Sequence, residues 1–276
     1  MRIGVRAHDY GRHDVKEYAG LLRQEGYETV QLAIPKAFTG IESYDAITEE
    51  LLYEIKTAFE ANQLQIAVLG CYQDLSNPDP NVRARAVAVF GSCLRYSRFL
   101  NAKLTGTETS YAHLSKMEKH LRFPYMMDSL KRLAEEAERL DTWLGIEPVA
   151  WHPLEDIETT REVLDALKSD HVKIILDPAN LLERPELVDQ KAYWKYCFAL
   201  LGDAVEAIHL KDFVINEKGA YEPRLLGQGV MDYTVLQEWL QTRPHMPVLR
   251  EEMDPQTAGV DLAFMRALMQ SQDHSA

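Results

Sequence analysis

No stretch of this 276-residue chain approaches the ~20 consecutive apolar residues that a bilayer-crossing helix needs, so no membrane partner is expected. The opening Met1-Arg-Ile-Gly-Val-Arg has no signal-peptide profile and reads directly as a strand. Cysteine is scarce. Cys71, Cys93 and Cys197 are odd in number and far apart, which argues against a disulfide framework. They read as reduced, buried thiols of a cytoplasmic protein. Positive charge is short too: 30 Lys and Arg face 43 Asp and Glu, for a formal net charge of −13. This argues against a nucleic-acid partner, which would want a basic stripe that releases counterions from phosphates. A small anionic substrate stays open, because one local Arg or Lys outweighs distant charges screened by salt. No Gly-rich fingerprint follows the first strand, which argues against a doubly wound nucleotide-binding sheet. The chain also lacks linkers, low-complexity segments and runs of five like charges.

What is present is alternation. Short apolar runs trade places with longer stretches of helical period. Arg2 to Ala7 reads as a strand and leads into a helix over 13–25, closed by Gly26. Thr29 to Ala33 is the second strand, followed by a helix over 47–62. Gln65 to Gly70 is the third, and Asn81 reads as the N-cap of a helix ending near Leu100. Lys103 to Thr107 is the fourth. The helix after it spans about 115–140 and holds Pro124, which predicts a kink or a break. Residues 212–231, rich in Gly, Asn and Pro, read as a long functional loop. Eight such units at this length predict a single (β/α)8 barrel, one domain over 1–276.

The fifth to eighth runs each end on a polar group. They are Glu147 in Gly145-Ile-Glu-Pro, Asp177 in Ile175-Leu-Asp-Pro, His209 in Ile208-His-Leu-Lys-Asp, and Glu251 in Leu249-Arg-Glu-Glu. The steps between them are 30, 32 and 42 residues, each about one strand, one helix and the return loops. A parallel barrel brings the C-terminal ends of its strands to one mouth. Three carboxylates and an imidazole meeting there are a divalent-metal set by ligand type: Mn²⁺ first, with Co²⁺, Mg²⁺ or Zn²⁺ as alternatives. Glu252 competes with Glu251, but strand neighbours face opposite sides. If Leu249 points inward, Glu251 does too, and Arg250 is left facing the helices.

These motifs, in this order, resemble the sugar phosphate isomerase/epimerase superfamily, the xylose isomerase-like TIM barrels. Leu69-Gly-Cys-Tyr, Gly106-Thr-Glu-Thr and Gly227-Gln-Gly add to the resemblance, which covers nearly the whole chain. It implies Glu147, Asp177, His209 and Glu251 as ligands to one ion, with Glu147 and Glu251 carrying protons on opposite faces of the substrate. Two positions depart from the ketose epimerases. Asn180 stands where they carry a substrate-binding His, and Arg224 lies fifteen residues beyond His209, farther than their substrate-binding Arg. Other candidate substrate contacts are His152, in Trp151-His-Pro, and Lys211, on the same strand face as His209. His8, Glu108, Trp151 and Tyr72 are candidate pocket walls.

The expected function is metal-dependent isomerisation or epimerisation of a sugar or related polyol or keto compound, by proton abstraction alpha to a chelated carbonyl. An inosose-type dehydratase is the first alternative. An endonuclease IV-like phosphoesterase is the second; it would need more ions and more His and Asp ligands from the early strands than His8 and Glu108 provide. A non-catalytic sugar-binding barrel fits poorly with so costly a cluster of like charges. The resemblance also raises a homodimer as a possibility.

Overall fold

The computed structural model describes residues 2–182 and 184–270. Ten strands form in chain order: β1 Arg2–Arg6, β2 Thr29–Leu32, β3 Gln65–Gly70, β4 Leu104–Glu108, β5 Leu144–Glu147, β6 Val172–Leu176, β7 Val205–Leu210, β8 Asp212–Ile215, β9 Tyr221–Arg224 and β10 Pro247–Arg250. Eight of them close into a barrel in the order β1-β10-β7-β6-β5-β4-β3-β2, with every pairing parallel. The helices are α1 Val15–Glu25, α2 Ile34–Ala37, α3 Glu49–Ala61, α4 Pro80–Leu100, α5 Lys116–Leu140, α6 Ile157–Leu167, α7 Pro178–Leu181, α8 Gln190–Leu201, α9 Thr234–Gln241 and α10 Ala258–Met269. Among the described residues, no helix is long and apolar enough to cross a membrane.

Two apolar layers hold this together. A small one fills the barrel lumen: Ala67, Val68, Leu104, Ile175, Ala207 and Leu249. Gly106 and Gly145 belong to it by absence. A Cβ on Gly106 would sit 2.5 Å from Ile175 Cδ1, and one on Gly145 would sit 2.6 Å from Leu104 Cδ1. The lumen therefore uses glycine on β4 and β5 to admit branched chains from their neighbours. The larger layer lies between the sheet and the helices. Leu249 does point inward, and Arg250 faces the helices as the alternation requires. Its burial is made tolerable by Asp261 of α10, whose Oδ2 accepts from Arg250 Nε at 2.8 Å, and by the carbonyls of Leu210, Arg224 and Glu251.

Three local expectations change. Asp79, not Asn81, caps α4: its Oδ1 accepts from the Asn81 N–H at 2.8 Å, and Pro80 takes the first helical position, where its missing N–H costs nothing. Pro124 does not divide α5, which runs from Lys116 to Leu140 behind a Ser115–Glu118 capping box. The proline is exposed, so water can serve the carbonyl it leaves unpaired, while Met126, Leu130, Leu133 and Ala137 anchor the helix beyond it. The segment 212–231 is not irregular throughout. Its first half is the antiparallel hairpin β8–β9. Its second half wraps the Asp212 carboxylate, which accepts from the N–H groups of Phe213, Gly227, Gly229 and Met231 at 2.9–3.2 Å.

Candidate metal centre

Each of the four sequence-selected groups reaches the C-terminal mouth by its own route. Glu147 ends β5. Asp177 follows β6 and caps the short α7, with Oδ1 accepting from Ala179 N at 2.8 Å and Asn180 N at 3.2 Å. His209 lies inside β7, next to Leu249 of β10 in register. Glu251 follows β10, its N–H donating to Leu210 O at 3.0 Å. All four are buried, His209 and Asp177 completely.

Glu147, Asp177 and His209 each offer a ligand atom within 4.8 Å of the others. Glu251 flanks this group: its Oε1 and Glu147 Oε2 both lie 3.2 Å from His209 Nδ1. Neither contact is aligned as a hydrogen bond; both ring nitrogens of His209 are buried without a hydrogen-bond partner, and Asp177 Oδ2 is buried with only the Lys211 ammonium beside it. Two ligand atoms bound to one ion at about 2.2 Å and near a right angle sit roughly 3.1 Å apart, a distance these contacts share with an ordinary ion pair. The donor set fits a divalent ion. Glu252 turns away: its backbone is left-handed at φ 55°, and its side chain accepts from Tyr221 Oη at 2.6 Å.

Electrostatics describe the same cluster. Burial opposes the charge on His209, but Glu251 and Glu147 outweigh it and lift the imidazole to about 9. Burial raises Asp177 to about 6 against the pull of Lys211. Burial would raise Glu251 as well, yet His209, Arg6 and Lys211 hold it down at about 2. Lys211 is the cation at the centre. Its Nζ lies 3.1 Å from Asp177 Oδ2, 3.5 Å from Glu251 Oε2 and 3.4 Å from Glu252 Oε1.

The remaining candidates divide. Asn180 joins the cluster: Nδ2 donates to Glu147 Oε1 at 2.6 Å. His152 is buried beside the mouth, with Nδ1 3.6 Å from Glu108 Oε2. Trp151 stacks on His113 at 4.7 Å, joining the loops after β4 and β5. Arg224 is not brought in. It lies on the exposed hairpin, paired with Glu222 at 2.7 Å. Sequence reasoning passed over Arg6 and Gln31. Arg6 Nη1 lies 3.5 Å from Glu251 Oε2, and the same guanidinium pairs with Asp9 at 2.8 Å. Arg6 ends an apolar run just as the four chosen residues do, and that signal was available.

A cavity of about 800 Å³ opens at the opposite end, among Arg2, Gln65, Lys103 and Pro247 at or beside the strand starts. Its lining includes none of the clustered residues, and barrels do their chemistry at the C-terminal mouth.

A closed parallel barrel with buried carboxylates and an imidazole at that mouth defines the class. The chain belongs to the xylose isomerase-like TIM barrel family, whose match spans residues 19–268. Among solved structures, the 3-keto-D-glucoside 4-epimerase YcjR from E. coli superposes with a TM-score of 0.75 at 17% identity, covering 97% of this chain and 99% of that one. A D-psicose 3-epimerase from Clostridium cellulolyticum H10, solved with D-tagatose, gives 0.74 at 17% identity, with coverage of 98% and 100%. The IOLI protein with a bound zinc atom gives 0.75 at 14% identity, covering 98% of each chain. No curated protein matches the chain in sequence. Identities this low speak for the fold alone.

Proposed function

We propose that the protein is a divalent-metal-dependent isomerase or epimerase acting on a sugar or a related polyol or keto compound. The observation that carries this reading is the completely buried His209, which makes no aligned hydrogen bond and whose Nδ1 faces Glu147 and Glu251 at 3.2 Å, with Asp177 alongside. Structural relatives that are sugar epimerases, and one that holds zinc, support it. Glu147, Asp177, His209 and Glu251 would hold a divalent ion, which would supply Lewis acidity to a carbonyl beside a hydroxyl; Mn²⁺ is our first choice of ion.

The protein's own groups do the rest. Glu147 and Glu251 approach His209 from β5 and from the end of β10, so their carboxylates flank a substrate laid across the mouth. One oxygen takes the proton alpha to the carbonyl, and the other carboxylate returns it. Return to the opposite face inverts the centre; return to the neighbouring carbon exchanges aldose and ketose. Asn180 keeps one oxygen of Glu147 occupied and thereby aims the other. Lys211 places a permanent positive charge beside the oxygen that becomes negative as the proton leaves.

The test is proton exchange. The protein with Mn²⁺ is incubated in heavy water with ketoses, keto-inositols and sugar phosphates. Deuterium is expected at a carbon alpha to the carbonyl of at least one of them, and a chelator should abolish it. A product lacking a hydroxyl would assign the dehydratase alternative. No exchange into any of these compounds by metal-loaded protein would defeat the proposal.

A further inference from the structure

The cavity at the strand starts lies at the far end of the barrel from the clustered carboxylates, and its lining differs in charge from the chain as a whole. We propose that it is a binding site for a small organic phosphate, with Arg2 and Lys56 taking the phosphate and Trp143 the apolar body. The inference stands apart from the metal-site reading and survives its failure.

The alternation of the strands builds the floor of this cavity. Ala67 of β3 and Leu249 of β10 face the lumen, and a Cβ on Gly4 of β1 would meet Leu249 Cδ2 at 2.5 Å. Two residues earlier on the same strands, Gln65, Pro247 and Arg2 share that face at the strand starts. All three line the cavity. Trp143, just before β5, completes the floor. It packs against the lumen cluster, lines the cavity, and carries the Lys173 ammonium 5.1 Å from its ring centroid. The backbone at this end is already satisfied: the N–H groups of Arg2, Gln65 and Lys103 donate to the carbonyls of Met246, Glu28 and Ile66. Recognition is therefore left to side chains.

Charge selects the ligand. The chain carries a net −13, yet the cavity is lined by four Arg and Lys against two carboxylates, Glu60 and Asp141. Two of the cations are committed. Lys103 pairs with Glu206 at 2.8 Å, and Arg98 donates to the Leu140 carbonyl at the end of α5. The other two are not. Among the described residues the Arg2 guanidinium has neither a hydrogen bond nor an ion pair. Lys56 Nζ has the Phe99 ring alone, 5.1 Å from its centroid, and a ring face leaves ammonium N–H groups free to donate elsewhere.

A third observation points the same way. Ser97 of α4 is completely buried, lines the same cavity, and its Oγ has no hydrogen-bond partner. Buried hydroxyls normally find one, so a group that completes Ser97 is missing. An oxyanion answers all three residues, because guanidinium, ammonium and hydroxyl all donate to it. Phosphate suits them better than carboxylate: its three terminal oxygens can be shared among donors on β1, α3 and α4. Volume and lining add the rest of the ligand. About 800 Å³ is far more than one phosphate fills and lies within the range of small-molecule sites. Phe59, Leu64 and Leu100 give an apolar body a wall to lie on beside Trp143.

The experiment uses phenyl phosphate, inorganic phosphate and phenol as probes at constant ionic strength. Calorimetry is run on chelator-treated protein, so that no ion at the mouth can take up phosphate. Phenyl phosphate should bind saturably, at least about fivefold tighter than either part alone, and should change the tryptophan fluorescence. Arg2→Gln should weaken it roughly tenfold, about what one charge-assisted hydrogen bond contributes. Lys56→Gln, on a surface helix, should do the same and serves if the first variant misfolds. Trp143→Phe should abolish the fluorescence change. The site is overturned if phenyl phosphate does not bind, if inorganic phosphate or phenol binds as tightly, if the folded charge variants bind it as the native chain does, or if the fluorescence change survives Trp143→Phe.

Discussion

In the proposed reaction Glu147 would serve two demands with one carboxylate, as a metal ligand and as a proton carrier. Its two oxygens are already differentiated: Oε1 accepts from Asn180 at 2.6 Å, while Oε2 faces His209 at 3.2 Å. Removing the carboxylate charge should therefore remove the chemistry and leave the fold intact. Glu147→Gln is expected to lower the alpha-proton exchange rate by about 10³, the usual worth of a positioned acid or base, with unchanged circular dichroism. Asn180→Ala is a milder change, because it frees the oxygen without discharging it. Loss of such an orienting partner should weaken Mn²⁺ binding by roughly 10–100-fold, read by metal titration. If Asn180→Ala left both metal affinity and exchange rate untouched, its hydrogen bond to Glu147 would have no part in aiming the carboxylate.

At the scale of elements, the sequence made the barrel readable because each strand ends in a marked way. Apolar runs of four to six residues recur, and the last four close on a charged or ligating group. Glu251 was separable from Glu252 because the period of two places Leu249 and Glu251 on one face, and the lumen does hold Leu249. Helix boundaries were less legible. Asn81 and Asp79 are both good capping residues, and only Pro80 between them decides, since it fits the first turn. Pro124 reads as a breaker only when its surroundings are unknown; on the exposed face of a 25-residue helix it is tolerated. Least legible were partnerships across elements. Nothing in Leu249-Arg-Glu announces that Arg250 will be matched by Asp261 eleven residues later, yet the pair joins β10 to α10, and Asp261 Oδ1 also accepts from Leu226 N at 2.8 Å. Arg250→Met should strand a buried carboxylate and cost about 3–5 kcal/mol. In thermal melts that is a fall of roughly 6–15 °C for a domain of this size. Combining it with Asp261→Leu should cost less than the two single losses added together, because neither charge is then left alone.

For the whole molecule, the proposed metal site would set one folding equilibrium against another. Without metal, His209 is lifted to about 9 by Glu251 and Glu147 despite its burial, so near neutrality it carries a proton. An ion needs the imidazole neutral and must displace that proton. Between about pH 6.5 and 9, apparent metal affinity should rise with pH, by up to tenfold per unit for the one proton released. Below about 6, where Asp177 also begins to protonate, the dependence should steepen. The metal-free fold behaves in the opposite sense. A group whose folded value lies above its unfolded value contributes stability that is complete below about 6.5 and is lost as pH climbs through 9. The gap between metal-loaded and metal-free melting temperatures must therefore widen as pH is raised. At pH 8 and a hundredfold excess of Mn²⁺ over its dissociation constant, the added stability is about 2.7 kcal/mol, roughly 5 °C for a chain this long. Calorimetry in buffers of different ionisation enthalpy counts the protons directly, and close to one per ion is expected at pH 7.5. A count of zero there, with the ion bound, would mean that His209 is not the group the metal displaces a proton from.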